Sequence, residues 1–410
     1  MSNILISTKL KTTNIGNQAL SDELILMARE FTTENNRFKV TGRPVGLDKY
    51  KFDSLDKLNP VAHFEGIAQK IAEKARKLKK LTFDNGDLAI VKTNLLDVEG
   101  NIVKTEKLRR IARKVRRFYY SFFLYSKKYE NRLALYSNMD YYLYSGAGEI
   151  GFSDFFLRQL LDLRVAQLLG VKTCAINQSV ELTEGIEKEI LMHVYEKMHK
   201  IVVRGEISKT LLVSNNINQN IITVCPDTAF RNKVEIVPKK TFDKSIALNI
   251  TPKTYDKYNY DTIIKKLLEH NYKITFVSND PMGEKELAEQ LHKKYNFPII
   301  IKSLNYKEYS EFIKEFDVLI SSRLHSCELA LTAGVPVVPV EGNVHKTTEV
   351  LSFVEYPISV VNAKSDSFVE ELWANILYVE NNFIAIQNWI LDNRMGISEN
   401  ATKNIISALD

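Results

Sequence analysis

The hexapeptide SSRLHS, residues 321–326, carries the densest group of reactive side-chain types in the sequence. Arg323 offers a planar fork of donors that fits a phosphate or a carboxylate. His325, two residues on, can exchange a proton near neutral pH. The block follows the apolar run DVLI and precedes CELALTAG, so both side chains belong where a strand ends and a helix begins. Helix-terminal N–H groups add positive potential at such a point. The chemistry this spacing suits is proton transfer to a substrate held by its negative charge. Arg204, in KIVVRGEIS, takes the same strand-end position in the first half. EGNVHKTTEV sets His345 and Lys346 just before a helix, where a cation can face a cleft.

A second candidate is GAGEIG, residues 146–151, a GxGxxG match that follows a strand and opens a helix. A dinucleotide site also requires an acidic residue at the end of the next strand to hold the ribose. That strand, VKTCAINQS, ends in Gln178 and Ser179, so the nicotinamide reading lacks its second anchor. A backbone surface for a substrate, or a tight turn, fits the glycines better. His193 and His199 are six apart, not a ligand spacing on one helix face, and no metal site is expected. No Walker A sequence and no GxSxG elbow occur. Cys174, Cys225 and Cys327 are scattered, which argues against a disulfide framework and a thiolate zinc site.

The elements that position these residues read as α/β. NILISTKL is a strand, TTNIGN a turn, and NQALSDELILMAREF a helix with one apolar face. The middle repeats the pattern from YYLYSG to IITVCPDTAF, and a Lys-rich stretch from Arg231 to Lys244 reads as a linker. SIALNIT, KITFVSND, PIIIKSL, DVLISSRLHS, VPVVPVE and ISVVNA give six further strand candidates, and two helical segments close the chain. Alternation of this kind implies parallel sheets covered by helices, with ligand in the cleft between two Rossmann-like domains. We place the domains at residues 1–240 and 241–365, with C-terminal helices over 366–410.

At 410 residues, 45% apolar and 26% charged, the chain is a soluble globular protein rather than a disordered or fibrous one. It has no stretch of membrane-span length, and the N-terminus lacks a signal-peptide core, so a cytoplasmic location is expected. The net charge of +6 is unevenly spread. Residues 104–132 hold eleven Lys or Arg against Glu106 and Glu130, a local +9 that leaves −3 for the rest. Within it, Leu108, Ile111, Ala112, Val115, Phe118, Tyr119 and Phe122 form an apolar helical stripe flanked by basic residues. This is the composition of an interfacial helix on an anionic membrane, or equally of a helix packed on its own domain with a solvated face. No nucleic-acid module surrounds it, so nucleic acid is not an expected partner.

Taken together, NIGNQAL, SGAGEIG, VVRGEIS, CPDTAF and SSRLHSCELALTAGVPVV followed by HKTTEVL resemble the polysaccharide pyruvyl transferase family. They stand in family order from Asn14 to about Leu351, and the SxRxH block is the most specific. Asn17 stands where the family usually has Asp, and Gly205 where an Asp commonly follows the arginine. The resemblance implies a two-domain fold similar to GT-B glycosyltransferases, and transfer of pyruvate from phosphoenolpyruvate onto two sugar hydroxyls as a cyclic ketal. It implies that Arg323 and Arg204 bind the donor from the two domains, and that Leu324 meets it mainly through its backbone. Lys346 would neutralise the departing phosphate, and His325 would protonate the enol methylene. No metal or cofactor is implied beyond the donor substrate. Asn14, Asn17, Gln18, Gly146, Gly148 and Glu149 are the acceptor-side candidates. A lipid-linked acceptor would give the basic segment a purpose at the inner membrane face. The alternatives are a GT-B glycosyltransferase using a nucleotide sugar, with Glu341 on the ribose, and a non-catalytic membrane-associated binding protein.

Overall fold

The computed structural model describes residues 2–10, 12, 14–33, 35–42, 59–78, 125–146, 156–182, 184–256, 258–342, 345–362 and 365–410. Two wholly parallel sheets organise it. The first contains β1 (Ser2–Ser7), β2 (Asn36–Thr41), β3 (Tyr141–Ser145), β4 (Lys172–Gln178), β5 (Lys200–Val203) and β6 (Ile222–Val224), in the order β2-β1-β3-β4-β5-β6. The second contains β7 (Ser245–Asn249), β8 (Lys273–Val277), β9 (Ile299–Ile300), β10 (Val318–Ser321) and β11 (Val337–Pro339), in the order β11-β10-β7-β8-β9. Strand order reverses between β1 and β3 in one sheet and between β7 and β10 in the other. Such reversals leave a crevice beyond the strands' carboxyl ends, where ligands bind in open α/β sheets.

The central strands are short apolar runs buried on both faces, as parallel sheets require; Ile4, Leu5, Ile6, Val202, Ile246 and Ile320 are all fully buried. The sheets do not have separate cores at their junction. Ile15 and Ala19, from the helix Ile15–Glu30 of the first half, pack into the apolar cluster of the second sheet. The Ile15 N–H donates to Asn279 O at 3.2 Å, and Tyr306 donates to the buried Glu23 at 2.9 Å. The first helix is thus held by both halves.

Two expectations differ from what is found, the strand at ISVVNA and the course of the chain after its two closing helical segments. ISVVNA forms no strand of its own and contributes one bridge, Val361 to Val340. The two C-terminal helical segments meet as expected at Asn382, whose non-helical backbone kinks the span Phe368–Ala401. A further helix, Lys403–Leu409, then returns to the first sheet, where Ile405 and Ala408 pack with Ile4, Ile6 and Cys174. The chain's end therefore belongs with its beginning. Most of segment 104–132 lies outside the described residues. Its described end falls in the helix Tyr125–Tyr136, where Arg132 is buried and paired with Asp162 at 2.7 Å. Among the described residues no helix is long and apolar enough to cross a membrane. The three cysteines are buried thiols.

Candidate active site

The turn after β10 is built by its serines. Ser321 Oγ accepts from the Arg323 N–H at 3.0 Å, and Ser322 Oγ accepts from the Thr251 N–H at 3.0 Å. Ser326 Oγ donates to Asn249 Oδ1 at 2.7 Å. These bonds tie the end of β10 to the end of β7, the two strands that flank the reversal. Arg323 becomes the N-cap of the helix Leu324–Thr332, and its side chain makes no capping bond. Its guanidinium is instead clamped by the buried Glu284, with Nε at 2.8 Å and Nη2 at 2.7 Å from Oε1. Nη1 has no partner among the described residues. Glu284 is itself fixed: its Oε2 accepts from Ser278 Oγ and from the Asn279 and Asp280 N–H groups.

Arg204 reaches the same place from the first sheet. A register shift between Ala175 and Gln178, with Asn177 at φ 54, turns the end of β4 toward it. Bulges of this sort re-aim side chains beside sites. Arg204 Nε then donates to Ser179 Oγ at 3.0 Å, and Nη1 to Asp227 Oδ2 at 2.6 Å. The guanidinium is 1% exposed, yet Nη2 has no partner among the described residues. A buried donor with nothing to bind is costly unless a ligand completes it.

Both arginines line one cleft of about 190 Å³ with Asn14, Asn17, Leu324, His325 and Lys346. Three helices begin there: Ile15–Glu30, Leu324–Thr332 and Lys346–Phe353. The guanidinium edges from both halves, with the start of the helix Leu324–Thr332, whose N-cap residue makes no side-chain bond, can hold a small anion with more than one charged group. His325 packs against Gly16, where an added Cβ would lie 2.3 Å from its Cβ and Nδ1. Only glycine admits this approach of the first helix to the histidine. Behind the ring, Nε2 is 3.7 Å from Asp227 Oδ2 and 3.9 Å from Glu328 Oε2. Burial opposes the ionisation of Asp227, but the Arg204 guanidinium and the Ala229 N–H hold its carboxyl well below the usual range.

The remaining expected residues fall differently. Asn14 caps the first helix, its Oδ1 accepting from the Asn17 N–H at 3.0 Å, and Asn17 Oδ1 accepts from Lys9 at 3.2 Å. Gln18 does not line the cleft; it holds the preceding loop through Thr12 O at 2.7 Å. Gly146 also lies off the cleft, buried against Tyr144 and Gln178. Gly148 and Glu149 lie outside the described residues. Glu341 borders the cleft, but its carboxylate caps the helix Lys346–Phe353: Gly342 and Thr347 N–H bond Oε1, and Thr348 N–H and Oγ1 bond Oε2. Sequence reasoning passed over Asp227, Glu284 and Glu328. Asp227 stood inside the quoted CPDTAF, and Glu328 is the lone carboxyl of the helix LHSCELALT, at i+3 from His325.

This is a two-domain α/β protein of the GT-B type with the cleft between the domains. Its sequence over residues 90–343 matches the model of the polysaccharide pyruvyl transferase family. The chain belongs to that family. Solved structures share the fold at low identity. UDP-GlcNAc 2-epimerase from Neisseria meningitidis, bound to UDP-GlcNAc, aligns at TM-score 0.55 and 11% identity over 99% of both chains. TarM aligns at TM-score 0.55 and 12% identity over 100% of this chain and 98% of its own. A glycosyltransferase from Rickettsia africae aligns at TM-score 0.52 and 11% identity over 99% and 96%. No curated protein matches the sequence.

Proposed function

We propose that the protein transfers pyruvate from phosphoenolpyruvate to two hydroxyls of one sugar in a surface polysaccharide or its precursor, releasing phosphate. The observation that carries this reading is the pair of anchored arginines, one from each half, whose unbonded edges meet His325 in one small cleft. A donor bearing both phosphate and carboxylate needs two such cations, and one bearing an enol needs an acid. His325 protonates the methylene carbon, and the charge developing at the central carbon draws the first hydroxyl. Phosphate then departs toward the cationic groups, and the second hydroxyl closes the ketal. Asn14 and Asn17 offer polar groups for the acceptor on the first-domain side.

The nucleotide-sugar reading is weakened at Glu341, whose four hydrogen bonds fill roughly the four acceptor positions a carboxylate has. The basic composition of residues 104–132 supports a charge-based hold on an anionic membrane, where a lipid-linked acceptor would be met. Unchanged vesicle binding after reversing Arg109, Arg110, Arg113, Arg116 and Arg117 would remove that part.

The test of the donor is thermal denaturation with phosphoenolpyruvate and, separately, with UDP, GDP and CMP. A ligand at a hundred times its Kd stabilises by ~2.7 kcal/mol. Phosphoenolpyruvate should raise the melting temperature, and Arg323→Ala should abolish the rise. A rise with a nucleotide alone would overturn the reading in favour of glycosyl transfer. Wild-type function in cells carrying Arg323→Ala and His325→Ala would favour a non-catalytic role.

A further inference from the structure

Two buried carboxyl groups flank His325 in opposite states. Asp227 is ionised, with Arg204 Nη1 donating to it at 2.6 Å and the Ala229 N–H at 2.9 Å. Glu328, one helical turn beyond His325, is 0% exposed and accepts no hydrogen bond at either oxygen from the described residues. A bare carboxylate there would have lost its hydration with nothing in exchange, so the group is a neutral acid. Burial first, and the Asp227 charge second, push its pKa far up, while Arg204 pulls the other way. Its neighbour Cys327 is a buried thiol, raised by burial and therefore also neutral. Carboxyl pairs whose surroundings drive them apart mark acid and base assignments.

Nε2 of His325 is buried toward these two carboxyls, so the ring meets the cleft on its Nδ1 side, beside Gly16. We propose that Glu328 is the proton store of the site: its O–H serves Nε2, and His325 passes a proton from Nδ1 to the donor. In the forward step the Nδ1–H bond breaks as a C–H bond forms at the methylene carbon. The Glu328 O–H bond breaks as an Nε2–H bond forms. The imidazole is neutral before and after, and the new negative charge rests on Glu328, within the field of Arg204. When the first acceptor hydroxyl attacks, its proton enters at Nδ1 and the Nε2 proton returns to Glu328. The second hydroxyl's proton leaves with phosphate, so the cycle needs no proton from bulk water. Glu328 never touches the donor and acts through His325.

The single ligand atoms of Asp227, His325 and Glu328 lie within 4.8 Å of one another, a spacing that a metal ion could also use. Arg204 already bonds the same Asp227 oxygen, and its charge there would oppose the ion.

The inference rests on His325 being the acid of the reading above, but its test runs without the donor. Full-length protein labelled with 15N-histidine is examined by NMR at pH 7, with His325 assigned through His325→Gln. The Nδ1–H tautomer is expected. A wild-type minus Glu328→Gln infrared difference should contain a protonated-carboxyl band. The glutamine amide can still donate to Nε2 but releases no proton. Glu328→Gln should therefore keep the tautomer and the melting shift with phosphoenolpyruvate, while acceptor-dependent phosphate release falls ~10²-fold at unchanged KM. Glu328→Asp should restore part of the rate. An imidazolium or Nε2–H tautomer, a missing carboxyl band, an unchanged rate, or zinc bound one-to-one at His325 would overturn it. If phosphoenolpyruvate causes no shift while tautomer and band are as expected, the donor reading fails and the proton store stands.

Discussion

Gly205 follows Arg204 where the family commonly carries Asp, and the structure gives the position a reason that a substitution can test. An ideal Cβ there would lie 2.3 Å from Glu349 Cγ and 2.8 Å from Glu349 O, in the helix Lys346–Phe353 of the other half. Backbone is not the cause, since Gly205 is extended at φ −176. Glu349 is buried, and its Oε1 accepts from the Ser208 N–H at 2.7 Å, capping the helix Glu206–Ser214 across the domain junction. Gly205→Asp must therefore push the Lys346 helix away by about 1 Å to reach ordinary contact. Overpacking costs ~1–3 kcal/mol, and stretching the cap adds ~1 kcal/mol. Glu349→Ala leaves a buried N–H unpaired, a cost of ~1–3 kcal/mol. In the double variant the introduced aspartate can cap its own helix, because Asp is a preferred N-cap residue. The clash with the backbone oxygen of position 349 remains, so wild-type stability does not return, but the double should be milder than the sum by ~1–2 kcal/mol. Thermal melts measure this. At ~2 cal/mol/K per residue the chain's unfolding entropy makes 1 kcal/mol worth ~1 °C. Gly205→Asp should also weaken the phosphoenolpyruvate shift, because Lys346 moves with its helix. Additivity of the two variants within ~0.5 kcal/mol would refute the cross-domain cap.

Further outcomes follow from the same geometry. Glu328 keeps its proton in the fold but loses it in the unfolded chain above pH ~4.3, so it lowers stability as pH rises from there toward its raised folded pKa. Glu328→Gln should match wild type near pH 4 and exceed it progressively on titration upward, by up to ~1.4 kcal/mol per pH unit; parallel melting curves would contradict this. Arg204→Ala strands Asp227 without its guanidinium and should cost ~3–5 kcal/mol. Arg204→Lys should lose less stability but still abolish the phosphoenolpyruvate shift, since Nη2 is gone; a retained shift would remove Arg204 from the donor site. Gly16→Ala should displace His325 and move its NMR signals, with a stability loss within ~1–3 kcal/mol. Unmoved signals would mean that the first helix does not position the histidine.

The sequence was most legible where local pattern and burial agree. Most strands of the two sheets are short apolar runs, and SSRLHS falls at a strand end as its neighbours imply. β2 (NRFKVT) and the helices Pro60–Arg76 and Ile186–Tyr195 were missed because their apolar residues are interleaved with charges. ISVVNA has strand composition but meets one neighbour at one residue, so composition overstated it. An amphipathic segment says which face is buried, not which sheet it meets, and Lys403–Leu409 crossing back was invisible for that reason. In the site the arginines and the histidine could be named from type and spacing. Their partners could not, because Arg204–Asp227, Arg323–Glu284 and Ser208–Glu349 are separated by 23, 39 and 141 residues.

Those partners determine what the cleft can select. Each arginine carries a buried carboxylate behind it, so the positive charge near the cleft is largely balanced before any ligand arrives. What remains without a protein partner among the described residues is directional: the buried Arg204 Nη2 and the Arg323 Nη1 that the Glu284 clamp leaves out. A site of this kind discriminates by where donors point rather than by total charge. It should accept an anion whose charged groups match the span between the two guanidinium edges, and bind a bare phosphate more weakly, since one anion cannot satisfy both. Because one edge belongs to each half, a matching ligand also bridges the junction at which Ile15, Glu23 and Glu349 already join the halves. Binding of such a ligand and the joining of the two halves then draw on neighbouring contacts. A substitution at the junction, such as Gly205→Asp, should accordingly weaken phosphoenolpyruvate more than inorganic phosphate, and equal weakening of both would argue that each half binds its anion alone.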